Sequence, residues 1–192
     1  MQKNGLILKT MKNKLFFFVI GCKPKGRFTE QHDVFLGIAT HWEALIPEMK
    51  KSWPEAKGKI HIDSWREVTQ IEEYALEIEE RTAVFENTHQ AFFINLGGYK
   101  PNDLEEYHYK MLLTGKNKAE VVKKAKQSAF YKHVGFKGAA SHIDDQYGID
   151  VDDLYPLEDL LSEKFKKEFR LKLSFHPEGK QDELHVGYLK IR

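Results

Sequence analysis

Phe92-Phe93-Ile94-Asn95-Leu96-Gly97-Gly98, in the middle of the chain, occupies a place equivalent to that of Leu15-Phe16-Phe17-Phe18-Val19-Ile20-Gly21 near its start. Each is a short apolar run stopped by glycine, which predicts a strand buried on both faces. Beyond each run the same residue types recur in the same order. After the first come Lys23 and Pro24, then Glu30 and His32, then His61-Ile62-Asp63. After the second, with Gly98 in the place of Gly21, come Lys100 and Pro101, then Glu106 and His108, then His142-Ile143-Asp144. Self-similarity at long period sets the architecture ahead of any local reading, and two copies fall short of the roughly three that a solenoid needs. A compact pseudo-symmetric body is expected.

The first run could also be misread. Met11-Lys12-Asn13-Lys14 before it and Cys22 after it outline a secretory leader with a lipid-anchored cysteine. The apolar stretch Leu15 to Ile20 is six residues, shorter than the roughly 7–15 of a signal core. Its counterpart lies deep inside the chain. A core strand is the expectation, with the residues before Met11 a loose or alternative start.

Pro24 and Pro101 cannot sit within a ladder, so a loop comes after each first strand. Second strands are expected at 31–38 and 105–114, each making a hairpin with its predecessor. A helix is next in both copies. The first carries Ile46, Met49 and Trp53, with Pro47 in its opening turn and Pro54 at its end. The second is capped by Asn117 and carries Val122, Ala125 and Ala129 along one side. Further strands are expected at 59–68 and 74–79. Beyond Pro156, Leu157, Leu160, Leu161 and Phe165 form a helical stripe. Phe169, Leu171, Leu173 and Phe175 then alternate as a strand, and Leu184, Val186 and Tyr188 form the strand that returns. The expected fold is α+β, with two tandem pseudo-symmetric ββαβ-type repeats and mainly antiparallel sheets. The repeats span 12–80 and 88–192, the second extended by a C-terminal helix and β-hairpin.

A net charge of +1 over 192 residues exerts no general pull toward nucleic acid or membrane. The single cysteine excludes an internal disulfide and a multi-cysteine zinc site, and fits a reducing cytoplasm. A cytoplasmic protein with no membrane partner is expected.

Side chains two apart on a strand share a face. Glu30 therefore points with His32, Glu106 with His108, His61 with Asp63, and His142 with Asp144. A Glu-His pair set against a His-Asp pair can bind a divalent metal through nitrogen and oxygen, or hold a base oriented by a carboxylate. The same groups also serve as a hydrogen-bonded lock on strand ends. Beside the first set lies the basic loop Lys23-Pro24-Lys25-Gly26-Arg27, where Arg27 can grip a phosphate or carboxylate through two donors. The second copy has Asn102-Asp103-Leu104 there, so that feature is not duplicated. Lysines dominate 110–137, the one plausible nucleic-acid surface, but no recognition motif accompanies them and a solvated helix face accounts for them. Asp144, Asp145, Asp150, Asp152 and Asp153 lack the register of an EF-hand. Asp152 and Asp153 are instead expected to help begin the next helix.

These readings leave Arg27, Glu30, His32, His61, Asp63, Glu106, His108, His142 and Asp144 as candidate ligand-binding residues. The leading expectation is a binding or regulatory module for a small anionic ligand. The alternatives are a metal-assisted hydrolase using the Glu/His/Asp clusters and, less favoured, nucleic-acid binding through the lysine-rich helix. An exposed sheet edge would offer a surface for a homodimer. Whether the chain is an enzyme, and which cofactor or metal it takes, is not fixed by these residues.

The stretch Gly26-Arg27-Phe28-Thr29-Glu30-Gln31-His32-Asp33-Val34-Phe35, with Lys57-Gly58-Lys59-Ile60-His61-Ile62-Asp63, resembles an uncharacterised bacterial family, domain of unknown function 1543. Asn95-Leu96-Gly97-Gly98-Tyr99, Phe130-Tyr131-Lys132-His133 and His142-Ile143-Asp144-Asp145 are similar to the same family. The resemblance runs from about Leu15 to about Leu173. Such proteins carry one or two copies of the domain, and for this chain the resemblance implies two in tandem. It implies no activity and no catalytic residue.

Overall fold

The computed structural model describes residues 12–99, 102, 104–127 and 150–191. His142, Asp144 and the lysines beyond Lys126 in the basic stretch lie outside them. The described residues form two units. One takes the chain up to Val68 together with Glu183 onward, and the other is Thr69–Asp182.

In the first unit the apolar run is β1 (Lys14–Cys22), almost wholly buried. It pairs antiparallel with β2 (Gln31–Ala39), Gly21 lying opposite His32. Phe18 meets the rings of Phe35 and Trp42 at 6.0 and 6.5 Å between centroids. That side of β1 is covered by a 3₁₀ turn, Trp42–Leu45, and by α1 (Ile46–Ser52), which bury Leu45 and Met49. Pro47 sits in the opening turn of α1, where its missing N–H costs nothing. Because side chains alternate across a strand, Gly21 faces the other side. The third strand, β3 (His61–Val68), pairs with β1 antiparallel. Val19 lies opposite Ser64 but Ile20 opposite Ile62, so Asp63 is the extra residue of a β-bulge.

The second unit opens with β4 (Gln70–Ile71) and β5 (Tyr74–Glu80). Its central strand is the other apolar run, β6 (Gln90–Tyr99), flanked by β7 (Glu106–Gly115) and β8 (Asp150–Pro156). Gly97 lies opposite His108. On the other edge Asn95 faces Asp153 and Leu96 faces Val151, which leaves Asp152 as the extra residue of a second bulge. Between β7 and β8 comes α2 (Lys118–Lys126), which buries Val121 and Ala125 against Phe92, Ile94, Leu96 and Leu113. A 3₁₀ turn, Leu157–Leu160, and a short α3 (Glu163–Glu168) lead into β9 (Phe169–Phe175). The chain then returns to the first unit as β10 (His185–Lys190), an edge strand on β3. Its sheet runs β10-β3-β1-β2.

The architecture is α+β with antiparallel pairing, and no helix among the described residues is long and apolar enough to cross a membrane. Several local expectations differ from what is seen. Asp152 and Asp153 lie within β8 rather than at a helix start. The leucine stripe after Pro156 does not form one helix, because Leu161 is extended at φ −77°, ψ 148°. Leu157, Leu161 and Phe165 are buried all the same. In α2 the inward residue is Val121, with Val122 half-buried, since Val121 and Ala125 stand one above the other at i, i+4. The last two strands do not pair with each other. β9 joins β5, setting Leu173 opposite Leu76 and Leu171 opposite Ile78. All four of these side chains are buried, and that shared apolar face fixes the pairing.

Candidate metal centre

The sheet of the first unit carries a polar cluster on the face turned away from α1. Gly21 is its floor. In the ladder Gly21 lies between His32 of β2 and His61 of β3, so both histidines rise from the same face. Glu30, two residues before His32, points the same way. The bulge at Asp63 turns that carboxylate toward His61 and His32, a common use of an extra strand residue.

His61 Nε2 is 2.9 Å from Glu30 Oε1 and 3.2 Å from Asp63 Oδ1. His32 Nε2 is 3.2 Å from Asp63 Oδ2. The His61 side chain is only 6% exposed, whereas those of Glu30 and His32 are 44% and 45% exposed. The cluster is therefore closed at its base and open to water above. Short as these distances are, His61 Nε2 and Asp63 Oδ2 are both buried without a hydrogen-bond partner. The groups converge on a common space, out of line with the direction in which the imidazole N–H would donate. Donor atoms of Glu30, His32 and His61 all lie within 4.8 Å of one another. Two donors each about 2.1 Å from a tetrahedral metal stand roughly 3.4 Å apart, close to the separations found here.

Two further features hold the base of the cluster. A Cβ on Gly21 would stand 2.5 Å from His61 Nε2 and 3.0 Å from Asp63 Oδ2, so only glycine leaves room for the imidazole. The His61 ring stacks on Tyr188 of β10 at 4.3 Å between centroids and 29° between planes. Beside this site Cys22 is a poor nucleophile. Burial, then the negative charges of Glu30 and Glu55, push its thiol pKa up and keep it protonated.

The other candidates are placed differently. Arg27 lies in an exposed turn, its N–H donating to the Pro24 carbonyl at 3.2 Å, with Gly26 at φ +86°. Among the described residues the Arg27 side chain has no ion pair or hydrogen bond. In the second unit His108 Nδ1 is 3.1 Å from Asp152 Oδ2, and His108 Nε2 is 4.0 Å from Glu106 Oε2. Of the lysines, Lys124 donates to the Thr114 carbonyl at 2.7 Å and pairs with Glu72 at 3.3 Å.

Asp152, Asn95 and Tyr188 are not among the candidates expected from sequence. His142-Ile143-Asp144, expected in the place of the third strand, lies outside the described residues, and β8 pairs with β6 so that Asp150-Val151-Asp152 takes the register of His61-Ile62-Asp63. Gly98 is expected in the place of Gly21, whereas Gly97 is the residue opposite the histidine. Asn95 was the available signal, a polar residue interrupting an otherwise apolar run. Tyr188 had none, because its strand reaches β3 from the far end of the sequence.

Comparison with known proteins adds fold and partial family likeness. Among solved structures, the crystal structure of a protein Il1583 from Idiomarina loihiensis is similar, with a TM-score of 0.59 and 19% identity. The alignment covers 94% of this chain and 98% of that one. No curated protein matches the chain. Residues 27–78 match the family model described as Domain of Unknown Function (DUF1543), a segment that includes Glu30, His32, His61 and Asp63.

Proposed function

We propose that this protein binds a divalent transition metal through Glu30, His32, His61 and Asp63 and uses it to assist hydrolysis. The observation that carries the reading is the buried His61 Nε2, approached by two carboxylates yet left without a hydrogen bond. A buried polar atom in that condition is expensive unless something answers it. Two imidazoles with two carboxylates suit zinc or a neighbouring first-row metal. The exposed side at Glu30 and His32 leaves access for water and substrate, and a fifth coordination position, to which zinc can expand, would remain for them. A metal held there would activate water near neutral pH and polarise a substrate carbonyl or phosphoryl oxygen.

An anionic ligand fits this cluster less well, because two carboxylates face the space and Arg27 makes no contact with them. The matching registers of β3-β1-β2 and β8-β6-β7, each with a bulged aspartate, also support descent of the two arrangements from one duplicated segment.

Zinc titration of chelator-treated protein tests the metal reading. One zinc per chain should bind and raise the melting temperature, and Glu30→Gln with His32→Ala should weaken binding by at least tenfold. Both substituted side chains lie at the exposed side of the cluster, so the fold should survive. Absence of a thermal shift, with no metal in the purified protein by elemental analysis, would leave the hydrolase without its cofactor.

A further inference from the structure

The face of the first sheet that carries Glu30, His32, His61 and Asp63 continues beyond them. One row further along, Val34 of β2, Val19 of β1, Ser64 of β3 and Val186 of β10 lie side by side in register. Val19 is two residues from Gly21 and Val34 two from His32, so this row shares the face of the cluster. It runs about 7 Å from the row of Gly21 and the two histidines, the rise of two strand residues. In the row after it, Leu36 and Phe17 are paired and buried.

Single apolar side chains on a surface mean little. These form a continuous strip, and it borders the cluster. Val19 is only half-buried although β1 is an interior strand, while its neighbours Phe18 and Ile20, on the other face, are 0% and 1% exposed. Val186 is 76% exposed and Tyr188 69% exposed. Tyr188 lies against the His61 ring and leaves most of its own ring to solvent. Neither metal binding nor a lock on the strand ends accounts for an apolar strip leading away from the proposed ligands.

We propose that the metal site acts on carboxylic esters or amides with an apolar acyl group, phenyl or branched alkyl, which rests on Val34, Val19, Val186 and Tyr188. The inference rests on the metal reading above and names the substrate class of that site. A group seated on the valine row has its carbonyl about one row away, over the two histidines. Water adds to the acyl carbon, the bond from that carbon to the leaving oxygen or nitrogen breaks, and the leaving group takes the proton. The products are an acid and an alcohol or amine. Glu30 and Asp63 together offset the charge of a divalent ion, which disfavours a phosphate dianion and suits a neutral carbonyl. Lys190, opposite His61 at the sheet edge, is exposed, so its charge is screened by water. The valines and Tyr188 position the acyl group and touch no reacting atom.

Benzohydroxamate and acetohydroxamate share one zinc-chelating group and differ in phenyl against methyl. In calorimetric titrations, zinc-loaded full-length protein should bind benzohydroxamate more tightly by roughly tenfold or more. Val34→Thr with Val186→Ser should bring that ratio to about threefold or less, with zinc and acetohydroxamate affinities unchanged. Val186→Ser alone, at an exposed side chain, should also lower the ratio, and it decides the matter if the double variant fails to fold. A ratio that these substitutions leave unaltered would place the preference in the chelators themselves and overturn the proposal. Equal affinity for the two hydroxamates at the unsubstituted chain would do the same. Zinc bound without the preference removes the acyl site and leaves the metal reading standing, whereas no zinc bound removes both.

Discussion

Gly21 illustrates how a residue without a side chain can decide what its neighbours do. The His61 imidazole occupies the volume that a Cβ would need, and it does so while buried beneath Tyr188. An added methyl must therefore displace either the ring or the strand. Overpacking of this kind costs about 1–3 kcal/mol, and here the strain would fall on the atom proposed to hold the metal. Gly21→Ala should destabilise the fold by that amount in urea unfolding and abolish the zinc-induced rise in melting temperature. A variant with the full zinc response would show that His61 Nε2 is not a ligand. The corresponding change at Gly97 meets only carboxylate ends, which can rotate away. Its cost in stability should be far smaller. Glu30 with His32 was legible in sequence through the two-residue alternation of a strand, whereas Asp63 reaches His61 as the extra residue of a bulge, which alternation does not predict. Asp152, also a bulge residue, was hidden more fully. The acidic run 150–153 looks like a helix start or a solvated loop until its register against β6 is known.

At the scale of elements, α2 shows a local signal read correctly and a packing detail that was not. Asn117 Oδ1 accepts the Glu120 N–H at 3.0 Å, and Glu120 Oε2 accepts the Lys116 N–H at 3.0 Å. This reciprocal cap satisfies donors that a helix start would otherwise leave orphaned. Asn117→Ala should cost about 1 kcal/mol in urea unfolding. The Glu120 carboxyl titrates below its usual range, mainly because it accepts the Lys116 N–H, with Lys124 assisting. A carboxylate whose pKa is lower folded than unfolded stabilises above the unfolded value and loses that contribution as pH falls through the folded one. The penalty of Glu120→Gln should accordingly be present at neutral pH and fade in acid. A penalty constant across that range would mean that the charge plays no part. Capping is legible because it is written within four residues. Helix facing and strand partners are not, since Val121 is selected over Val122 by the strand beneath it. The choice of β5 rather than β10 as partner for β9 likewise rests on buried leucines and isoleucine far away in sequence.

At the scale of the whole chain, the first unit is discontinuous. Its sheet is complete only when β10 pairs with β3, and between those strands the sequence traverses all of Thr69–Asp182. Non-local pairing of this kind brings an entropic cost of closure that only the contacts at its end can offset. Those contacts are the Tyr188–His61 stack, the Trp65–His185 stack at 4.1 Å, and Ile191, which is 7% exposed. Burying an isoleucine is worth roughly 1.5–3 kcal/mol, so β10 should contribute measurably although its own side chains are exposed. The three tryptophans, Trp42, Trp53 and Trp65, all precede Thr69. Intrinsic tryptophan fluorescence therefore reports the first unit alone. Ending the chain after Asp182 should move the fluorescence-detected urea transition to lower concentration by at least the isoleucine term, and it should weaken zinc binding by uncovering His61. If the shortened chain kept both its fluorescence transition and its zinc affinity, β10 would be a passive edge and Tyr188 would have no part in holding His61.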